Sequence, residues 1–296
     1  MNHSAHQSVQ EDTSLCFLNG DFVPLKDAKV SVLDRGFIFA DGIYEVIPVF
    51  SGKIFRLEHH LSRLNNNLTA IKIQNPYNPS EWENIFTDLI SKNNYANTEC
   101  SIYMQVTRGV AKRDHVFPEN STPTVFIMLN PMPAANPGKL EKGLTVITRE
   151  DIRWQYCNIK SISLLGNIIL KQEAADNNAD EAVLIRDGHL TEGSSSNIFI
   201  VKDGVIKTPV KNHQLLPGIT RDLIVEIANQ HGLACEETTI PEKELFSADE
   251  VWLSSSLKEI SPVCVIDKKI VGNGKPGVHW RKMYQLFQNY KASLNQ

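Results

Sequence analysis

Residues 151–167 read DIRWQYCNIKSISLLGN, and one residue of this stretch, Lys160, decides how the rest of the chain is read. CNIKSIS sets the lysine among apolar residues, at what the pattern makes the end of a strand, and SLLGNIILKQEAADNN continues as a helix. Burial at such a place disfavours the ammonium form and leaves a nucleophilic amine fit for Schiff-base chemistry. A surface or edge lysine fits the same local context, so the reading depends on what accompanies it.

Working outward, PGIT (Pro217 to Thr220) opens a helix whose first amides, with the Thr220 hydroxyl, suit a dianionic phosphate; an ordinary helix start with Pro before a turn reads the same way. Glu192 lies at a hairpin end in HLTEGSSSN, where a carboxylate facing a ring nitrogen would keep that nitrogen protonated. Arg63 follows Leu61 on a helix striped by Leu57, Leu61, Leu64 and Leu68, either as a solvated helix residue or as a phosphate clamp. Each signal is weak alone, and only the combination is specific.

Other chemistries fit poorly. GNGKPG spells GxGxxG with Gly272, Gly274 and Gly277, but too little chain follows for a dinucleotide-binding unit, so a loop before the last helix is expected. No histidine spacing suits a metal, and His59 and His60, adjacent on a helix, point apart. Ser194–Ser196 lack the GxSxG elbow of a serine hydrolase. A net charge of −4 without a basic cluster argues against nucleic acid, and no apolar run is long enough to span a membrane as a helix. The five cysteines are scattered singly, which predicts reduced thiols and the cytoplasm.

The length, 296 residues, predicts two domains. Residues 1–13 are polar and read as a loose extension, and residues 14–130 as a small N-terminal domain. The latter holds strands in CFLNG, DFVPL, YEVIPVF, SIYMQVTRG and TPTVFIMLN, with helices in RLEHHLSRLNNNLTAI and, behind a Ser80 cap, PSEWENIFTDLI. PMPAANPG supplies an extended or turning linker, residues 131–137. Residues 138–296 form the larger domain, with a strand in GLTVITRE, hairpins in EAVLIRDGHLTEG and NIFIVKDGVIKTP, a helix in ITRDLIVEIANQHG, and a last helix packed by Trp280, Met283 and Leu286 or Phe287. The fold class is α+β, or mixed α/β, in two domains.

The segments DRGFIFADGIYEV (34–46), EHHLSRL (58–64), DIRWQYCNIKSISLLGN (151–167), LTEGSSSNIF (190–199) and LPGITRD (216–222) resemble, in order and spacing, those of the fold-type IV pyridoxal-phosphate enzymes, the class IV aminotransferases. The resemblance spans nearly the whole chain and implies pyridoxal 5'-phosphate bound between the two domains. By it, Lys160 forms the Schiff base, Glu192 pairs with the pyridine nitrogen, Arg63 holds the phosphate, and Thr220 with the Ile219 amide completes the phosphate cup. Ser256, in WLSSSLKEISP, is implied as a further phosphate ligand, and Leu216 packs on the ring face. Asp180, before Glu181, departs from the tyrosine that relatives place near the cofactor, leaving Arg153 as a substitute contact to its 3-oxygen.

YMQVTRGVAKRDHVFPEN is similar to the segment of the D-amino-acid transaminase branch that carries an Arg-x-His pair, here Arg113 and His115. With Tyr44 they would form the trap for the substrate α-carboxylate, for which a guanidinium fork is well shaped. In that branch the pair reaches the neighbouring subunit's site, which implies a homodimer. The expected activity is transamination of D-alanine, D-glutamate or D-aspartate with pyruvate or 2-oxoglutarate. Aminodeoxychorismate lyase and branched-chain L-amino-acid aminotransferase are the alternatives, neither marked by this pair.

Overall fold

The computed structural model describes residues 14–132 and 137–294. The expected N-terminal extension and the middle of the expected linker, residues 133–136, lie outside the described residues. The chain packs as two compact units: one runs to Met132 and takes in Ser161–Ser163, and the other holds the rest, up to Lys160 and again from Leu164.

The strands of the first unit are β1 (Leu15–Leu18), β2 (Asp21–Pro24), β3 (Gly42–Phe50), β4 (Lys53–Ile54), β5 (Cys100–Thr107) and β6 (Thr124–Pro131). They form an antiparallel sheet in the order β2-β1-β6-β5-β3-β4. The short α1 (Arg35–Phe39) precedes β3, and α2 (Leu57–Ala70) and α3 (Pro79–Lys92) lie between β4 and β5. Helix α2 packs on β3, and α3 on β1 and β6. The face carrying Ile43, Ile47, Ile102, Met104, Val106 and Ile127 is buried, while Tyr44, Val46, Tyr103, Gln105, Phe126 and Met128, which alternate with them, are half-buried. The start of α3 differs from expectation: Pro79 is already helical, so the cap is Asn78, whose Oδ1 accepts from the Ser80 and Glu81 amides at 3.0 Å, while Glu81 returns a bond to the Asn78 amide.

The first described element of the second unit is α4 (Pro137–Lys142), whose leading proline is well tolerated in a first helical turn. Next come β7 (Leu144–Glu150), α5 (Leu165–Asp176), β8 (Glu181–Arg186), β9 (His189–Gly193), β10 (Asn197–Lys202), β11 (Val205–Pro209) and α6 (Ile219–Gln230). The unit ends with β12 (Cys235–Thr238), α7 (Glu242–Phe246), β13 (Glu250–Ser255), β14 (Glu259–Ile266), β15 (Lys269–Ile270) and α8 (Val278–Ser293). Among the described residues the strands make one sheet, β12-β11-β10-β13-β14-β7-β8-β9, with β15 beside β14. Helix α5 covers β7 and β8 with Leu170 and Ala174 against Ile147, Ala182 and Leu184. Trp280, Met283 and Phe287 are the buried residues of α8. Gly272 and Gly274 take positive φ in the loop between β15 and α8.

Candidate active site

Lys160 is half-buried and stands in the loop between β7 and α5, ten residues past Glu150, rather than at a strand end. The strand stops at Glu150 because the loop turns at Asp151, whose carboxylate gathers Arg153, Arg186 and Thr191. Immediately after Lys160, Ser161 pairs with Ile43 in an isolated bridge and the Ile162 amide donates to the Gly42 carbonyl at 3.1 Å. Those backbone bonds hold the following segment in the first unit and restrict the freedom of the lysine's own backbone.

Glu192, one residue before the end of β9, is a buried carboxylate. Arg153 Nη1 donates to its Oε1 at 2.5 Å, and Asn197 Nδ2 and the Leu216 amide donate to Oε2 at 3.1 and 3.2 Å. Burial pushes the carboxyl up to about 7 in spite of the lowering pull of Arg153. Arg153 gives its Nε and Nη2 to Asp151, so its guanidinium is divided between the two carboxylates. Asp180 likewise has a local task, accepting from the Thr145 amide at 3.0 Å.

Asn197 also donates to the Leu216 carbonyl at 2.8 Å, which fixes half-buried Leu216 beside Glu192. Two residues on, Gly218 is the N-cap of α6 and provides no side-chain cap. A Cβ at Gly218 would stand 2.0 Å from Asn197 Oδ1, so only glycine allows this approach. Ile219 and Thr220 follow as the first buried residues of the helix, where the dipole and leading amides favour an anion. Ser256, half-buried, is the first residue beyond β13. Nearby in sequence, the hydroxyl of Ser254 is buried with no hydrogen-bond partner, as is that of Ser196.

These donors fit the cofactor that the resemblance implies. A carboxylate has about four acceptor positions, and three donors occupy those of Glu192, which leaves room on Oε1 for a protonated ring nitrogen. The open N-terminus of α6 with its Thr220 hydroxyl suits a phosphate, and the Lys160 amine suits an aldehyde.

In the first unit, Arg63 is buried and makes a two-pronged pair with Glu45, Nε to Oε1 and Nη2 to Oε2, both at 2.8 Å. His60 Nδ1 lies 2.8 Å from Glu45 Oε2. Burial alone would raise the Glu45 carboxyl, but the Arg63 charge and hydrogen bonds, with those of His60, hold it well below the usual carboxylate range. Sequence reasoning missed Glu45 and His60; the signal available was a glutamate at an inward position of the strand YEVIPVF. Tyr44 faces the opposite side and stacks on Tyr103, ring centroids 6.0 Å apart. Burial and the neighbouring Tyr44 push the Tyr103 hydroxyl up to about 12, so it stays protonated and donates to Gln105 at 2.8 Å. Arg113 and His115 are exposed on the loop between β5 and β6, brought together at the Phe39 ring, 5.4 and 5.5 Å from its centroid.

A lysine amine, a buried carboxylate raised toward neutrality and a helix N-terminus without a side-chain cap are the groups that a phosphorylated, aldehyde-bearing cofactor would use. Comparison with known proteins narrows the class: the family model for amino-transferase class IV matches residues 42–266, and the chain belongs to that family. It is 39% identical over 277 residues to the D-alanine aminotransferase of Staphylococcus haemolyticus, a match covering 94% of this chain and 98% of that one. Among solved structures, the branched-chain amino acid aminotransferase of Escherichia coli superposes with a TM-score of 0.88 at 27% identity, covering 94% of each chain. A second branched-chain amino acid aminotransferase, from a T.th. strain and solved with pyridoxamine 5'-phosphate, gives 0.87 at 27% identity, covering 93% of each.

Proposed function

We propose that this chain transfers the amino group of D-amino acids such as D-alanine, D-glutamate and D-aspartate to 2-oxo acids such as pyruvate and 2-oxoglutarate, with pyridoxal 5'-phosphate as cofactor. The observation that carries the substrate reading is the pairing of Arg113 with His115 at Phe39, a cationic fork and an imidazole presented together for a carboxylate. Tyr44 would complete that trap. The likeness to branched-chain enzymes at 27% identity speaks for the fold and leaves this pair as the distinguishing feature.

Lys160 would hold the cofactor through Nζ, Glu192 would face its ring nitrogen, and Leu216 would lie against its ring. Arg63, Ser256, Thr220 and the Ile219 amide would hold its phosphate. When bound, the cofactor supplies an electron sink that weakens the substrate's α C–H bond. Lys160 Nζ, once released by the incoming amine, takes the α-hydrogen as general base and passes it on. Glu192 keeps a proton at the ring nitrogen, a task matched to a carboxyl raised to about 7. Arg113, His115 and Tyr44 hold the α-carboxylate and thereby decide which face of Cα meets Lys160.

The active form is a homodimer in which Arg113 and His115 serve the neighbouring site, working in the cytoplasm. Supporting the dimer, Phe37 and Val116 are 75% and 74% exposed in the first unit, with Val32, Val110 and Phe117 also open. All five cysteines are free thiols, in keeping with a reducing compartment.

The test is to mix the holoenzyme separately with D- and L-alanine and follow conversion of its absorbance to the pyridoxamine form. Conversion by D-alanine is expected, and conversion by L-alanine alone would overturn the D-specific reading. Lys160→Ala should lose both the covalent absorbance band and turnover.

A further inference from the structure

Residues 34–42, DRGFIFADG, supply no group to the chemistry above, yet they are built around the loop carrying Arg113 and His115. Asp34 is buried and accepts from the Gly36 amide and from the hydroxyls of Thr107 and Thr124, at 2.7, 2.7 and 2.6 Å, so it joins α1 to the last residue of β5 and the first of β6. Asp41 binds two buried arginines: Arg35 Nε at 2.8 Å and Arg108 through Nε and Nη2 at 2.8 and 2.9 Å. Together the two guanidiniums hold its carboxyl below the usual range against burial, which acts to raise it.

Both arginines then reach the loop. Arg35 Nη1 donates to the carbonyl of Asp114, the residue between Arg113 and His115, at 2.5 Å. Arg108 lies 3.6 Å from the Phe117 ring centroid and bonds the carbonyls of Ile71 and Lys72. The Phe39 ring meets three partners: Arg35 at 4.8 Å, Arg113 at 5.4 Å and the His115 ring at 5.5 Å. A loop of this length without regular structure is ordinarily free to wander. Here its backbone is tied at Asp114 and its two functional side chains share one ring.

We propose that Phe39 and Arg35 are positioning residues for substrate recognition: Arg35, anchored by Asp41, sets the loop backbone, and Phe39 orients Arg113 and His115 toward the α-carboxylate. This rests on the reading of that pair as the carboxylate trap. Preorganising the pair lowers the ordering cost of binding, so loss of Phe39 weakens carboxylate binding and leaves the chemical step alone.

The test uses holoenzyme carrying Phe39→Leu, Phe39→Tyr, Arg113→Ala with His115→Ala, and that double variant with Phe39→Leu. Readouts are KM and kcat for D-alanine, the inhibition constant of propionate as a carboxylate without an amine, and bound cofactor by absorbance. Phe39→Leu should raise KM and the propionate constant about tenfold with kcat within about twofold and cofactor content unchanged; Phe39→Tyr, which keeps the ring, should restore both constants. In the background lacking Arg113 and His115, Phe39→Leu should change them by less than about twofold. A full effect persisting in that background overturns the positioning role while leaving the trap intact. If removing Arg113 and His115 leaves both constants unchanged, the trap reading itself fails, and the positioning role with it.

Discussion

Each unit buries one glutamate against one arginine, and the two carboxyls titrate in opposite directions. Glu45 in the first unit is held well below the usual range, whereas Glu192 in the second is pushed up to about 7. Burial works to raise both, so it cannot account for the difference. Ownership of the guanidinium can: Arg63 gives Glu45 both prongs, and His60 adds a third donor. Arg153 divides itself, with two nitrogens on Asp151 and one on Glu192, and the other donors to Glu192 are the neutral Asn197 amide and the Leu216 N–H. The charge of Asp151 raises Glu192 further. One arrangement makes a permanent ion pair, and the other makes a carboxyl able to share a proton with a ring nitrogen.

The largest effect separating the two should come from Glu45→Gln, which leaves the buried Arg63 charge without its counter-ion and should cost about 3–5 kcal/mol of stability, measured by denaturant unfolding. An unchanged midpoint would remove the claim that this pair is structural.

Next in size is the pH dependence of cofactor-free protein. Glu192 is raised in the folded state above an unfolded value of about 4.3, so its contribution is fully present below about 4.3 and is lost as pH rises through about 7, on the order of 3 kcal/mol in total. Glu45 is lowered, so its contribution is present above about 4.3 and is lost as pH falls below that value. Thermal unfolding across this range should reveal both limbs. Glu192→Gln should flatten the limb between about 4.3 and 7. That variant should otherwise unfold within about 1 kcal/mol of the parent, because Arg153 keeps Asp151.

The smallest and most specific effect is that of Asp151→Asn. Releasing Arg153 to Glu192 should lower the Glu192 carboxyl by about one unit, read as a downward shift in the titration of its infrared carbonyl band. An unmoved band would mean that burial alone governs this site.

The pattern of the two glutamates explains what could be read in advance. Strands β3, β5 and β6 were legible as runs of seven or more residues rich in apolar and aromatic side chains, such as YEVIPVF between its DG and SG turn signals. β4 and β15 carry only two residues each, too few to set up a period. Lys160, Glu192 and Thr220 were singled out as members of ordered segments, whereas the division of Arg153 between Asp151 and Glu192 was not legible, because nothing local tells which carboxylate a guanidinium will meet. Glu45 was hidden for a similar reason: its partners are 15 and 18 residues away on α2.

The chain's own order of residues determined the family, the mixed α and β elements, and the residue types needed for amine, carboxyl and phosphate chemistry, since those depend on spacing and periodicity along the chain. Tertiary structure alone decided which carboxylate is charged, which loop is tied down and which ring carries the Arg113–His115 pair. These properties depend on distance and burial between residues far apart in sequence: Arg35 meets Asp114 and Arg153 meets Glu192 across separations of 79 and 39 residues.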